Sequence, residues 1–273
     1  MFVLSILSLK GGVGKTTITL GLAGAAMIHG LRTLVVDLDP QANATLSLDV
    51  GPTAATVVDV FDDPRPSTID SALARSSWTE TIGPPPGRLR EPVLDVLVGS
   101  PKLLLHDQPD PPVSRLRRLE TALMRVGERY DLVLVDCPPS LGRLTRSALV
   151  AAHRALVVTE PSLFAVHGAD RAFRAVQEER EHNAGLQPLG VVVNRYQEKS
   201  AEHRFRLEEL RQLFGPLVLN PPMPDRSIIQ QAQGMALPVQ RWRTAGAEQA
   251  TQALEIYLTR VLRASRTRLA PVG

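Results

Sequence analysis

A doubly wound α/β fold, with a mainly parallel sheet and helices on both faces, is what this sequence predicts, on three observations. Short runs rich in Val, Leu and Ile alternate with longer helical patterns along the chain, as buried parallel strands and their crossover helices do. The first run, residues 2–9, passes through a glycine-rich turn straight into a helix. Several later runs close on a polar residue, among them Asp37, Asp136 and Asn194, at the strand end where such sheets bind ligands.

Composition bounds the rest. The 273 residues suffice for one large α/β domain, and with no visible boundary or internal repeat the expectation is a single domain over 1–273. Hydrophobic content of 44% and charged content of 22% are ordinary for a globular chain, while only 4% is aromatic, so the core must rest on Leu, Val, Ala and Ile. A formal charge of +3 permits contact with nucleic acid or an anionic membrane without demanding it. The single cysteine, Cys137, excludes an intramolecular disulfide and suggests a reducing compartment. It is expected to be a buried small residue, not a reactive thiol. No apolar run reaches the roughly 18 residues of a membrane span, and no signal-peptide pattern is present, so a cytoplasmic location is expected.

The strand 2–9 leads into Lys10-Gly11-Gly12-Val13-Gly14-Lys15-Thr16-Thr17. Glycines there let backbone N–H groups approach phosphate oxygens that a side chain would hold off. The helix that follows adds unpaired N–H groups and the positive end of its dipole. Lys15 is placed to reach β- and γ-phosphates and the Thr16 hydroxyl to ligate Mg²⁺, as in P-loop nucleotide hydrolases. That helix runs through Ile18, Leu20, Leu22, Ala26 and Met27 to Gly30, a C-cap glycine. Residues 31–37 form the second strand, ending in Asp37-Leu38-Asp39-Pro40-Gln41. Short helical patterns at 54–61 and 68–74 are separated by Pro64 and Pro66, and 79–92 reads as a proline-rich surface insertion. A strand follows at 93–98, then an amphipathic helix at 115–129. Residues 130–136 are a strand ending in Asp136, and Cys137-Pro138-Pro139-Ser140-Leu141-Gly142 comes directly after it. Strands at 155–159 and 189–194 alternate with helices at 165–181, 199–214, 228–233 and 246–263.

The general phosphate-loop pattern asks for Gly where this chain has Leu9, and here a second lysine, Lys10, stands before the glycines. The run K-G-G-V-G-K-T-T resembles the deviant Walker A motif of the ParA/MinD family of ATPases, and D-C-P-P-S-L-G resembles the Walker B region of its ParA (Soj-like) branch. The resemblance covers nearly the whole chain and is weakest over 51–92. It implies ATP and Mg²⁺ as cofactors, and Lys10, Lys15 and Asp39 as catalytic residues. Lys10 would reach across a homodimer to the partner's nucleotide, and Asp39, in a switch I segment, would position or activate the attacking water. Thr16, Asp37 and Asp136 would form the metal environment. Residues 10–17, with Asn194, Pro224 and Asp225, would bind the nucleotide, Asn194 helping to hold adenine. No N-K-x-D follows Asn194, so ATP is favoured over GTP. The lone cysteine also removes the nitrogenase iron-protein branch, whose shared cluster needs two cysteines per subunit.

ParA-type relatives hold non-specific DNA as ATP dimers through basic residues. Here Lys199, Arg204, Arg206, Arg226, Arg241 and Arg243 are the candidates. One family Arg position is occupied by Ile228. The expected function is a chromosome or plasmid partition ATPase, with slow hydrolysis stimulated by a ParB-like partner, on the nucleoid. The alternatives are a MinD-like membrane-associated positioning ATPase or an orphan relative positioning another cargo. Against the membrane reading, residues 263–270 offer one Leu and no Phe or Trp, a weak anchor.

Overall fold

Among the described residues, six strands are buried on both faces, and the two faces belong to different cores. In β1 (Phe2–Leu7), Val3 and Leu7 join one apolar cluster while Phe2, Leu4 and Ile6 join the other. The alternation repeats in β5 (Leu132–Asp136), with Val133 and Val135 on the first side and Leu132 and Leu134 on the second. Such strands need helices on both sides, because neither face can be left in water. The computed structural model describes residues 1–81, 92–108 and 111–269.

With β2 (Arg32–Asp37), β3 (Leu73–Arg75), β4 (Val93–Leu97), β6 (Arg154–Thr159) and β7 (Gln187–Val193), the sheet has the order β3-β4-β2-β5-β1-β6-β7. All pairings are parallel except β3 with β4. One core is covered by α1 (Lys15–Ile28) and a long helix, Ala245–Leu269. These two approach closely, and a Cβ on Gly21 would lie 2.5 Å from Leu254 Cδ2. The other core is covered by helices Val113–Val126, Arg143–Ala151, Leu163–Glu178 and Ala201–Phe214. Gly30, at φ 68, ends α1 in a left-handed turn, its N–H donating to Met27 O. Cys137 is fully buried, as its apolar neighbours lead one to expect.

The sequence reading departs from the structure in the middle third. Pro66 does not break a helix; it is the first residue of the helix Pro66–Ala72, where proline's missing N–H costs nothing. That helix stops at Ala72, and Leu73–Arg75 turn into an antiparallel edge strand, too short to show an alternating pattern. The helix Arg143–Ala151, directly after the Walker B run, was not anticipated, and the last helix runs further, to Leu269. Trp78 begins a helical turn, Trp78–Thr81, and is buried with its indole N–H on Ala236 O. Most of the proline-rich insertion, 82–91, lies outside the described residues. Among the described residues no helix is long and apolar enough to cross a membrane.

Candidate functional site

Gly11, Gly12, Gly14, Lys15, Thr16 and Thr17 meet Asp39 in one open cleft of about 330 Å³ above the C-terminal ends of the central strands. The loop's shape requires glycine at two places. Gly12 and Gly14 have φ of 77° and 94°, and a Cβ on Gly14 would lie 2.1 Å from Asn194 Nδ2. Asn194 is what closes the loop from behind, its Nδ2 donating to Val13 O at 2.7 Å. Val13 itself turns its side chain into the core, so within the loop it anchors while its neighbours line the cleft. No side chain caps the N-terminus of α1, leaving that end to the cleft. Lys15, its first residue, is only 6% exposed.

Beneath the loop, Asp136 accepts from Thr16 Oγ1 at 2.6 Å and Thr19 Oγ1 at 3.1 Å. Burial, reinforced by the nearby Asp37 charge, pushes the Asp136 carboxyl up to about 7. Burial likewise raises Asp37 to about 6, against the pull of its hydrogen bonds. Asp37 spends both oxygens on the segment that follows it: Oδ1 accepts from the Asp39 N–H, and Oδ2 from the N–H and hydroxyl of Thr45 in the short helix Asn43–Ser47. Thr45 Oγ1 also receives the Gly99 N–H at 2.9 Å, tying the turn after β4 to the same carboxylate. Asp39 is nearly buried and accepts the Gln41 N–H at 3.0 Å in a tight turn. Two carboxylates desolvated side by side, with threonine hydroxyls on each of them, are an oxygen donor set that suits a hard divalent cation.

A smaller recess adjoins the cleft and shares Thr17, Arg195 and Gln233 with it; Asn194, Pro224 and Asp225 line it. The segment carrying Pro224 and Asp225 is laid beside the end of β7 by backbone bonds, Tyr196 N–H to Met223 O and Asp225 N–H to Tyr196 O. Thus the residues assigned to nucleotide binding from sequence, Lys10 and the core-facing Val13 apart, line the cleft and the adjoining recess, and Lys10, next to the cleft-lining Gly11, is paired to Glu160.

Sequence reasoning missed Thr19, Thr45, Glu160, Arg195 and Gln233. Glu160 carries the signal that revealed Asp37 and Asp136, an acid at the C-terminal end of a strand. Thr19 is one turn after Lys15 and so on the same helix face. Gln233, whose Nε2 donates to Thr17 Oγ1 at 3.1 Å, comes from a helix 216 residues away and has no local signal.

The basic residues are less uniform. Lys199 and Arg243 are exposed. Arg206 is held on its own helix by Glu202 at 2.6 Å and Glu209 at 2.9 Å, and Arg204 donates to Glu198 O. Arg226 reaches Gln249 and also lines the recess beside Asp225, and Arg241 donates to Thr81 O. Ile228, which the resemblance set at a family Arg position, is buried in the core.

A family profile described as an AAA domain matches residues 1–187. The chromosome partitioning protein ParA of Caulobacter vibrioides is 32% identical over 243 residues, covering 87% of this chain and 85% of that protein. The chain belongs to the ParA/MinD family of P-loop ATPases. Within the family it is Soj/ParA-like: the sporulation initiation inhibitor protein Soj of Bacillus subtilis is 29% identical over 251 residues, covering 90% of this chain and 94% of that one. Among solved structures, the ParA/MinD-type fold matches cobyrinic acid a,c-diamide synthase from Mycobacterium smegmatis, solved with bound ADP and magnesium. That match has a TM-score of 0.75 and 26% identity over 98% of this chain and 96% of that one.

Proposed function

We propose that this chain, acting as one domain over 1–273, is an ATP-dependent dimerisation switch of a DNA-partition system. The observation that carries the reading is the second lysine of the phosphate loop, Lys10, directly before the cleft-lining Gly11 and paired to Glu160, while the cleft already contains its own P-loop lysine, Lys15. Lys15 and the glycine N–H groups hold the β- and γ-phosphates of ATP, while Asn194, Pro224 and Asp225 border the base. Thr16 and Asp136 hold Mg²⁺, with Asp37 adding charge behind them. When bound, magnesium neutralises phosphate oxygens as charge develops on them. Asp39, on the cleft wall, orients the attacking water. Two copies then close face to face, each Lys10 reaching the partner's phosphates.

The closed dimer binds non-specific DNA through exposed basic residues, Lys199 and Arg243 foremost, and a ParB-like partner stimulates slow hydrolysis that releases it. ATP favours closure only by the difference between its affinities for dimer and monomer, which hydrolysis removes. The name of the Caulobacter relative, a chromosome partitioning protein, supports a partition role, and on this reading the protein acts on the nucleoid. Retention on non-specific DNA in ATP, ADP and no nucleotide, at two salt concentrations, tests it. ATP-specific, salt-sensitive retention is expected; no DNA signal under any condition removes the partition reading.

A second reading, ATP-dependent amidation of a small molecule, has the Mycobacterium smegmatis structure in its favour. It requires ATP turnover that depends on an added carboxylic acid together with a source of ammonia and is indifferent to DNA.

A further inference from the structure

Lys10 is already engaged in the single subunit. Its Nζ is ion-paired with Glu160 and lies 3.2 Å from Ser162 Oγ. Glu160 follows the last residue of β6, and its second oxygen, Oε2, stands 3.7 Å from Arg195 Nη1. Arg195 belongs to the phosphate cleft and to the adjoining recess. One carboxylate therefore gathers two cations, from two different loops, at the edge of the nucleotide site.

The arrangement is anchored from both sides. Arg195 has a left-handed backbone, φ 55, which a residue with a side chain adopts only when its neighbours hold it there. They do: Asn194 N–H donates to Thr159 O at 2.8 Å and its side chain grips Val13, while Tyr196 N–H donates to Met223 O at 2.9 Å. Thr159 immediately precedes Glu160, so this backbone bond sets β6 and β7 in register just where the carboxylate and Arg195 emerge. The side chains of Glu160 and Lys10 are 20% and 36% exposed, so water and salt weaken the pair less than they would a fully exposed one.

We propose that Glu160 is a positioning residue that sets the ATP concentration at which two copies close, by holding Lys10 within its own subunit. The inference rests on the dimerisation reading above. Lys10 Nζ has three protons, and Glu160 and Ser162 take two of them within the subunit, holding the ammonium group against its own chain. Closure must then draw on the fraction of molecules in which Lys10 has left Glu160, and the apparent affinity falls by that fraction. A partly buried ion pair with one supporting hydrogen bond makes this about threefold to tenfold. Arg195, sharing the same carboxylate, gives nucleotide a route to loosen the pair: phosphate that attracts Arg195 removes one of the two cations that hold Glu160 in place.

The test is the Glu160→Gln variant, which keeps size and shape and removes the charge. Sedimentation or light scattering across an ATP titration with Mg²⁺ should show half-maximal dimerisation at about threefold to tenfold less ATP than wild type. Ser162→Ala, which removes the second acceptor of Lys10 and a hydroxyl that donates to Glu160 Oε1 at 3.3 Å but leaves the Glu160 charge, should shift the threshold the same way by less. In a Lys10→Ala background, which this reading leaves monomeric, Glu160→Gln should restore no dimer, a result that an effect of Glu160 on closure independent of Lys10 does not produce. An unchanged or raised threshold in Glu160→Gln, with wild type dimerising normally, overturns the role of Glu160 alone. Wild type that binds a fluorescent ATP analogue but never dimerises overturns the switch reading, and this inference with it.

Discussion

Asp37 and Asp136 stand directly opposite one another in the β2–β5 pairing, both without exposed surface. Their carboxyl groups are pushed up to about 6 and about 7, burial being the first cause in each case. An unfolded chain would ionise both near 4. Folded-state values above the unfolded ones mean that their contribution to stability is fully present below about pH 4 and is lost as pH rises through about 6 to 7. In chelator, thermal melts should therefore show Asp136→Asn gaining stability over wild type at about pH 8 and losing that advantage by about pH 4. Magnesium should stabilise wild type more at the higher pH. A pH-independent difference between the two proteins would contradict the assigned desolvation.

Gly14→Ala tests the loop's geometry. The added methyl meets Asn194 Nδ2 at 2.1 Å, and a φ of 94° disfavours any side chain. Destabilisation of about 1–3 kcal/mol is expected from backbone strain, together with loss of binding of a fluorescent ATP analogue. Normal binding would show that the Asn194–Val13 bond is not what shapes the cradle.

Thr19→Val separates the helix from the metal environment at constant volume. The Thr19 hydroxyl lies 3.1 Å from both Lys15 O and Asp136 Oδ1. Replacing it should cost about 1 kcal/mol in urea unfolding, because Asp136 loses a buried donor. The apparent magnesium affinity, read from nucleotide binding at varied Mg²⁺, should weaken with it. An effect on stability without one on magnesium would confine Thr19 to a structural part.

The basic residues should not act alike on DNA. Lys199→Ala and Arg243→Ala each should reduce the salt slope of DNA binding by about 1, as expected for the loss of one phosphate contact. Arg206→Ala should leave the slope unchanged, since Glu202 and Glu209 already hold its guanidinium. A large effect of Arg206→Ala would mean that the helix Ala201–Phe214 rearranges on DNA.

What could be read along the chain was whatever one element expresses by itself. Strand β1, the glycine turn and α1 are contiguous, so the spacing of Gly12, Gly14, Lys15 and Thr16 carries a complete local geometry. Asp37, Asp136 and Asn194 were found because each closes an apolar run, and in a parallel sheet those ends converge on one side. The short helices at 57–62 and 66–72 and the strand at 73–75 were less legible. Arg118 and Arg125, from the helix Val113–Val126, donate to the carbonyls of Asp62 and Pro64 and help hold this region. Those bonds span some 60 positions, and no local pattern reports them.

The sequence by itself determined the fold class, the phosphate loop and the acids that face it, because periodicity and turn chemistry act over a few residues. The tertiary structure alone decided which partners those residues keep. It set Thr19 against Asp136, Thr45 against Asp37, Gln233 against Thr17 and Glu160 against Lys10, pairs separated by between 8 and 216 positions. The physical reason is that a carboxylate, hydroxyl or ammonium group in a buried or half-buried place is satisfied by whatever the packing brings within about 3 Å. That neighbour is chosen by the strand order and the helix crossings, not by the chain on either side.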